Sequence, residues 1–138
     1  MIYFFDTNVL VYAVDAGDPA RRERALERLA RAAREGTVAL STQVLQEFYA
    51  ITTRRLQPPL PAPEAAAQVQ RLCAFQVMSS TAQSVQAAIA LAQEHQLQWW
   101  DALILEAALR AGADVLLSED GQAGRRFGQL VVENPFLA

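Results

Sequence analysis

Ile2-Tyr3-Phe4-Phe5-Asp6-Thr7-Asn8-Val9-Leu10 opens the chain and decides its fold. A run of apolar residues with high strand propensity drives straight into three polar ones. A second apolar set follows at helical spacing, Val9, Leu10, Ala13 and Val14. The pattern predicts a buried strand, a polar turn and a helix, with Asp6 at the carboxyl end of the strand. Open parallel α/β sheets bind ligands at that edge. An acid there is either a helix-start residue or a site residue, and the remaining sequence has to discriminate between them.

The 138 residues fit one domain, 1–138. A chain of this length buries about two-thirds of its unfolded surface and needs no staple. With 52% hydrophobic residues and a mean hydropathy of +0.08 it is expected to be globular. Cys73 stands alone, so no internal disulfide forms, which fits a reducing cytoplasm. Its neighbours Leu72, Ala74 and Phe75 predict a small buried hydrophobe. No basic region precedes the first apolar run, which Asp6 interrupts, and no apolar stretch reaches membrane-spanning length. A cytoplasmic protein with no membrane partner is expected.

The formal charge of −3 and pI of about 5.1 argue against nucleic-acid binding over a broad basic face. They leave open phosphate binding through metal ions held by carboxylates. All 12 basic residues are Arg. The want of Lys removes Schiff-base chemistry and the P-loop lysine.

Beyond the first helix, Asp18-Pro19 reads as N-cap and first residue of a second helix. Its inward positions are expected at Ala25, Leu26, Leu29, Ala30 and Ala33, and Gly36 ends it. The Arg-rich run from Arg21 to Arg34 then reads as a solvated face rather than an RNA-binding stripe. Thr37–Ser41 is a second strand. Ser41 or Thr42 caps a third helix to about Leu56, with Val44, Phe48 and Ile51 as its buried stripe and Leu45 and Thr52 beside it. Glu47 falls on or at the edge of that stripe, where a carboxylate is out of place unless its desolvation is offset.

Pro58, Pro59, Pro61 and Pro63 make a stiff connection. A fourth helix opens at Pro63-Glu64 and runs to about Ala74, and Phe75–Met78 is a third strand. Ser80 or Thr81 caps a fifth helix with Val85, Ala88, Ile89 and Ala92 facing inward. His95, the single histidine, is expected to be exposed, and zinc sites of the usual kinds are disfavoured without more His or Cys. Trp99-Trp100-Asp101 leads into a sixth helix ended by Gly112, with the two Trp packed on the core or on a partner subunit. Ala113–Ser118 is a fourth strand, Gln122–Phe127 a seventh helix and Leu130–Val132 a last strand.

Strand and helix alternate, so a mainly parallel sheet with helices on both faces is expected. Four acids then stand out near one edge: Asp6 after the first strand, Glu47 on the third helix, Asp101 opening the sixth helix, and Asp120 after the fourth strand. Each alone has a structural explanation. Together they repel, and their pKa values rise unless a cation neutralises them. An all-oxygen site suits Mg²⁺ or Mn²⁺, and such ions hydrolyse phosphodiesters.

Asp6-Thr7-Asn8-Val9-Leu10, Gln46-Glu47-Phe48, Trp100-Asp101-Ala102-Leu103-Ile104 and Leu117-Ser118-Glu119-Asp120 resemble the motifs of PIN-domain nucleases, and among them the VapC-type toxins of toxin–antitoxin pairs. The likeness spans the chain to Asn134-Pro135-Phe136. It implies a PIN-like α/β/α sandwich with a central, mainly parallel sheet and a Mg²⁺-dependent endoribonuclease activity on RNA. Carried over by position, Asp6, Glu47, Asp101 and Asp120 form the acidic quartet. Asp6 and Asp101 would ligate metal directly, Glu47 would bind metal or orient water, and Asp120 would act through water or at a second site. Thr7, Asn8 and Ser118 would position these ligands. Glu119 competes with Asp120 as the fourth acid. A homodimer and a cognate antitoxin blocking the pocket are also implied.

Other readings fit less well. A haloacid-dehalogenase-like phosphatase needs an acid where Asn8 stands, and both it and a phosphoryl receiver need a Lys. A non-catalytic RNA-binding or regulatory PIN module, or a housekeeping RNA-processing nuclease, would retain the same fold.

Overall fold

The computed structural model describes residues 1–121 and 123–137. Strand β1 (Ile2–Phe5) is the centre of the molecule. Phe4 and Phe5 are both fully buried. Successive strand residues point to opposite faces, so β1 is covered on both. This is the pattern of an inner strand in a parallel sheet flanked by helices.

The chain continues through α1 (Thr7–Tyr12), α2 (Pro19–Glu35), β2 (Thr37–Ser41), α3 (Thr42–Arg54), α4 (Ala62–Leu72) and β3 (Gln76–Met78). It then forms α5 (Ala82–His95), α6 (Trp99–Arg110), β4 (Val115–Leu117), β5 (Arg126–Phe127) and β6 (Leu130–Glu133). The sheet has six strands in the order β3-β2-β1-β4-β6-β5. The ladders from β3 to β6 are parallel, and β5 pairs antiparallel with β6. The chain builds leftward from β1 to β3 and then returns to place β4 on the other side of β1. The carboxyl ends of β1 and β4 therefore flank the point where the strand order reverses, the place where such sheets form a crevice.

Local chemistry sets the boundaries. Asp18 accepts from the Arg21 amide and caps α2, with Pro19 in the first turn as expected. Gly36 ends α2 where a Cβ would run into the Met1 carbonyl, so glycine is what lets β2 start alongside β1. The Ser41 hydroxyl accepts from Val44 N and caps α3. Thr81 and Ser84 form a reciprocal capping box on α5.

Several expectations fail for identifiable reasons. Residues 126–127 form β5, not a helix: Arg126 faces Val131 and Phe127 faces Leu130 across a tight hairpin in which Gly128 has a positive φ of 62°. Gln122, where that helix was to begin, lies outside the described residues. On α5, Ser84 and Ala88 are buried while Val85 and Ile89 are exposed. The small pair faces inward, and Thr81 satisfies the Ser84 hydroxyl, so a polar residue can sit where an apolar one was expected. Cys73 is exposed rather than buried. The inward positions of α4 are Ala65, Val69 and Leu72, and one further residue turns the side chain out of that stripe. His95 is half-buried, its ring edge-on to Phe127 at 5.0 Å. Trp100 is 63% exposed and so does not pack on the core, one of the two places expected for it.

The largest departure is on α2. Its buried residues are Ala25, Arg28 and Ala32, while Leu26, Ala30 and Ala33 face solvent. The Arg28 guanidinium enters the structure and donates from Nε to Glu133 Oε2 at 2.6 Å and from Nη2 to Oε1 at 3.3 Å. It also lies over the Tyr3 ring, 5.0 Å from its centroid. Nη1, buried without an oxygen partner, belongs to this stacked group. The pair ties α2 to the end of β6, and Arg24 adds a bond to the Phe136 carbonyl at 2.8 Å. Removing one member of a largely buried ion pair strands the other, here softened because Glu133 is partly solvated. Arg28→Ala is expected to cost about 2 kcal/mol. In urea the midpoint should fall with an unchanged slope, and Glu133→Gln should cost less.

Candidate active site at the β1–β4 edge

Asp6 sits at the carboxyl end of β1, its backbone N–H donating to Leu117 O at 2.9 Å. The side chain is 8% exposed. Its Oδ1 accepts from Thr7 N at 2.7 Å, and its Oδ2 accepts from the Ser118 hydroxyl at 2.8 Å. Each oxygen keeps a second lone pair. Burial pushes Asp6 up from 3.8 to about 6, against the two hydrogen bonds from Ser118 and Thr7, and the charges of Asp120 and Glu47 push the same way.

The next two residues reach the other acids. The Thr7 hydroxyl donates to Glu47 Oε1 at 2.9 Å, and Gln43 Nε2, one turn back on α3, donates to the same oxygen at 3.3 Å. This is what offsets the placing of a carboxylate at the edge of an apolar stripe. Asn8 Nδ2 donates to Asp120 Oδ2 at 3.0 Å, and its Oδ1 accepts from Glu119 N at 3.2 Å. The Asn8 amide thus clamps the loop after β4. That loop is held a second time by Ser118 Oγ, which accepts from Asp120 N at 3.2 Å.

Asp101 approaches from α6. The helix begins at Trp99 with Gln98 as N-cap, so Asp101 lies in its first turn rather than ahead of it. No side chain caps this helix. Burial raises the Asp101 pKa, and the Asp120 charge adds to it.

Glu119 and Asp120 part company here. Asp120 faces the cleft with Asp6 and Asp101. Glu119 turns the other way, 3.7 Å from Arg21 Nη2, where after burial it is the main influence raising the Tyr12 pKa. Arg21 also lies over the Tyr12 and Phe136 rings, which meet edge-on at 5.0 Å.

The cleft has two halves that share Asp6, Gln98, Asp101, Ile104 and Asp120. One half, about 600 Å³, continues past Ser118 to Arg125 and Phe127. The other, about 470 Å³, continues past Thr7, Asn8 and Glu47 to Tyr12 and Trp100. Sequence reading singled out seven of the polar residues gathered here, Asp6, Thr7, Asn8, Glu47, Asp101, Ser118 and Asp120. It missed Arg125, Tyr12 and Gln98 as lining residues. No local pattern marks them: Tyr12 ends an apolar helix, and Arg125 comes from the hairpin misread as a helix.

The donor set is all oxygen and suits a hard divalent cation. Among the described residues no three ligand-type side chains converge closely enough to enclose an ion by themselves. A Mg²⁺ ion would need only one or two carboxylates from the protein, with water and substrate phosphate completing its shell. Asp6 fits the same reading: a carboxylate kept from water, with free lone pairs and acidic neighbours, is destabilised as an anion until a cation joins it.

Comparison with known proteins places this architecture. Curated protein sequences give no match. Among solved structures, VapBC2 from Rickettsia felis bound to a promoter DNA fragment superposes with a TM-score of 0.70 at 21% identity, covering 97% of this chain and 98% of that one. The sarcin–ricin-loop-cleaving toxin VapC20 of Mycobacterium tuberculosis gives 0.64 at 23% identity, covering 83% and 86%. A toxin–antitoxin complex from Klebsiella pneumoniae gives 0.64 at 22%, covering 97% and 98%. At these identities the likeness is one of fold. The PIN-domain family model matches residues 3–126, a span that includes Asp6, Glu47, Asp101 and Asp120, and the chain belongs to the PIN-domain family.

Proposed function

We propose that this chain is a metal-dependent endoribonuclease and the toxin of a toxin–antitoxin pair. The observation that carries the proposal is the gathering of Asp6, Asp101 and Asp120 around one cleft, with Asp6 desolvated at its base. A site built only to bind RNA would gain nothing from burying an anion against its own acidic neighbours. Support for the toxin role comes from neighbours that are toxin–antitoxin assemblies, and for RNA cleavage from the neighbour that cuts a ribosomal RNA loop.

Asp6 and Asp101 would hold the ion, with Glu47 and Asp120 contributing through water or at a second position. A bound Mg²⁺ or Mn²⁺ supplies Lewis acidity toward a phosphoryl oxygen and acidifies water. The chain's own part is orientation. Ser118 and the Thr7 amide fix both Asp6 oxygens, and Thr7 fixes Glu47 by its hydroxyl. Glu47, held at one oxygen, has the other available to accept a proton from an attacking water. Asn8 and Ser118 hold Asp120 and its loop at the cleft, where Asp120 would serve the ion. A cytoplasmic homodimer held in check by an antitoxin that occupies the cleft completes the proposal.

The decisive experiment incubates partner-free protein with structured RNAs in Mg²⁺, Mn²⁺ or EDTA. Cleavage should need metal, and Asp6→Asn and Asp101→Asn should each lower the rate by at least about 100-fold. Full activity of either variant would reject the assignment. Millimolar Mg²⁺ should also raise the melting temperature of the wild type, because the ion binds the folded state.

A pH dependence follows from Asp6. Its folded pKa of about 6 lies above the ordinary 3.8, so between those values the metal-free folded state holds more protons than the unfolded one. Stability from this group therefore falls as pH rises through that window and stays lower above it, by on the order of 3 kcal/mol. In metal-free buffer at pH 7, Asp6→Asn should melt above the wild type, with the gap closing toward pH 4. An Asn at this position keeps the Thr7 bond, and the Ser118 hydroxyl can turn to accept from its amide. A variant that melts lower at both pH values would show that the Asp6 carboxylate stabilises the fold.

A further inference from the structure

Among the described residues lining either half of the cleft, Arg125 is the only basic side chain. It shares that lining with Asp6, Asp101 and Asp120, yet makes no salt bridge among the described residues. Three other arginines behave differently: Arg21, Arg28 and Arg110 pair with carboxylates. An arginine beside three acids that pairs with none of them is held there by something else. Its main chain is pinned to β6, with Val132 N donating to Arg125 O at 2.9 Å and Gly124 N donating to Val132 O at 2.8 Å. Its guanidinium lies over the Phe127 ring, 4.8 Å from the centroid, and donates only one long bond, 3.4 Å, to the His95 carbonyl. Most of its five donors are uncommitted.

A planar cation positioned by stacking, with free donors facing a cleft, matches a phosphate diester oxyanion. The opposite half of the cleft has Tyr12 and Trp100 and no cation. The cleft is therefore asymmetric, with charge on one side of the acids and aromatic surface on the other. We propose that Arg125 is a substrate-positioning residue: it binds a backbone phosphate of the RNA next to the one being cleaved and so fixes the strand's direction through the acidic site. This rests on the ribonuclease reading above. The phosphate at the acids meets the metal, while the neighbouring phosphate, out of the ion's reach, needs a counter-charge from the protein.

The test compares wild type, Arg125→Gln and Arg125→Lys as full chains with Mg²⁺ and single-stranded RNA, over a range of KCl concentrations. Gln keeps a flexible polar side chain at the position while removing the charge and the guanidinium that lies over Phe127. Arg125→Gln should raise KM about tenfold with kcat little changed. It should also flatten the dependence of log(kcat/KM) on log salt by about 0.7, one phosphate contact on a single strand. Arg125→Lys should restore the salt slope but only part of the KM, because an ammonium lacks the planar fork. If the wild type cleaves while Arg125→Gln leaves both KM and the salt slope unchanged, the positioning role is wrong and the nuclease reading stands. A fall in kcat alone, or a salt slope that Lys does not recover, would likewise assign Arg125 to structure. No metal-dependent cleavage of any RNA by the wild type would overturn the nuclease reading and this inference together.

Discussion

A carboxylate buried at the end of the central strand governs the arrangement of the rest. Asp6 can stay there because the Thr7 amide and the Ser118 hydroxyl each donate to one of its oxygens. These bonds lower the cost of burial without cancelling it, since its pKa remains near 6. The residual cost is a property of the position. Moved to the surface, the same acid would be comfortable and would bind a cation no better than any exposed aspartate. At the floor of a crevice, bounded by β1 and β4, it is an anion short of counter-charge.

The tripeptide Asp6-Thr7-Asn8 then acts as a hub. Its first residue supplies one acid, its second bonds Glu47 on α3, and its third bonds Asp120 and the Glu119 amide beyond β4. Elements far apart in sequence are brought into register by three adjacent side chains at a helix start. That is possible because α1 begins directly at the strand end, with Asp6 itself as N-cap. A loop of even two residues between β1 and α1 would separate the donors from the acids they hold. The parallel sheet supplies the other half of the constraint, because order reversal at β1 puts β4 and Ser118 beside Asp6.

The features legible in the sequence are those with local physical causes. The cap at Asp18, the glycine stop at Gly36 and the apolar core of β1 read correctly, and the caps of α3 and α5 were narrowed to Ser41 or Thr42 and to Ser80 or Thr81, of which Ser41 and Thr81 serve. Seven polar residues of the cleft were legible because polar groups at strand ends and on apolar stripes violate simple patterning. The misses share a different cause. Arg28 counts as polar in any pattern, yet Glu133, 105 residues away, makes it an interior residue. That one inward arginine turns Leu26, Ala30 and Ala33 outward. Ser84 displaces Val85 and Ile89 by the same logic, since a hydrogen bond to Thr81 lets it be buried. Glycine at Gly124 and Gly128 with positive φ marks the β5 hairpin, but glycines are equally compatible with helix ends, and only pairing with β6 decides between them. The misses on α2 and at β5 lie where a tertiary partner overrides local preference.

Charge use ties the fold to the proposed chemistry. An acidic protein with twelve arginines has cations to spare for an RNA surface only if the fold leaves them free. Arg21 is engaged with Asp18, Glu119 and two aromatic rings, Arg24 with a carbonyl, Arg28 with Glu133, and Arg110 with Glu106 and the Ser79 carbonyl. The α2 arginines thus include three that fasten structure rather than form a binding stripe. On the proposed function, attraction for a polyanion at the acids would come from a cation they hold and from Arg125, the single arginine among the described residues that line the cleft. Under that proposal the site would repel RNA when empty of metal and attract it when loaded, so that metal binding would precede and permit substrate binding. With weak long-range steering by a basic face, recognition would be left to shape and to the few nucleotides in the cleft, as would suit a nuclease that must spare most of the RNA around it.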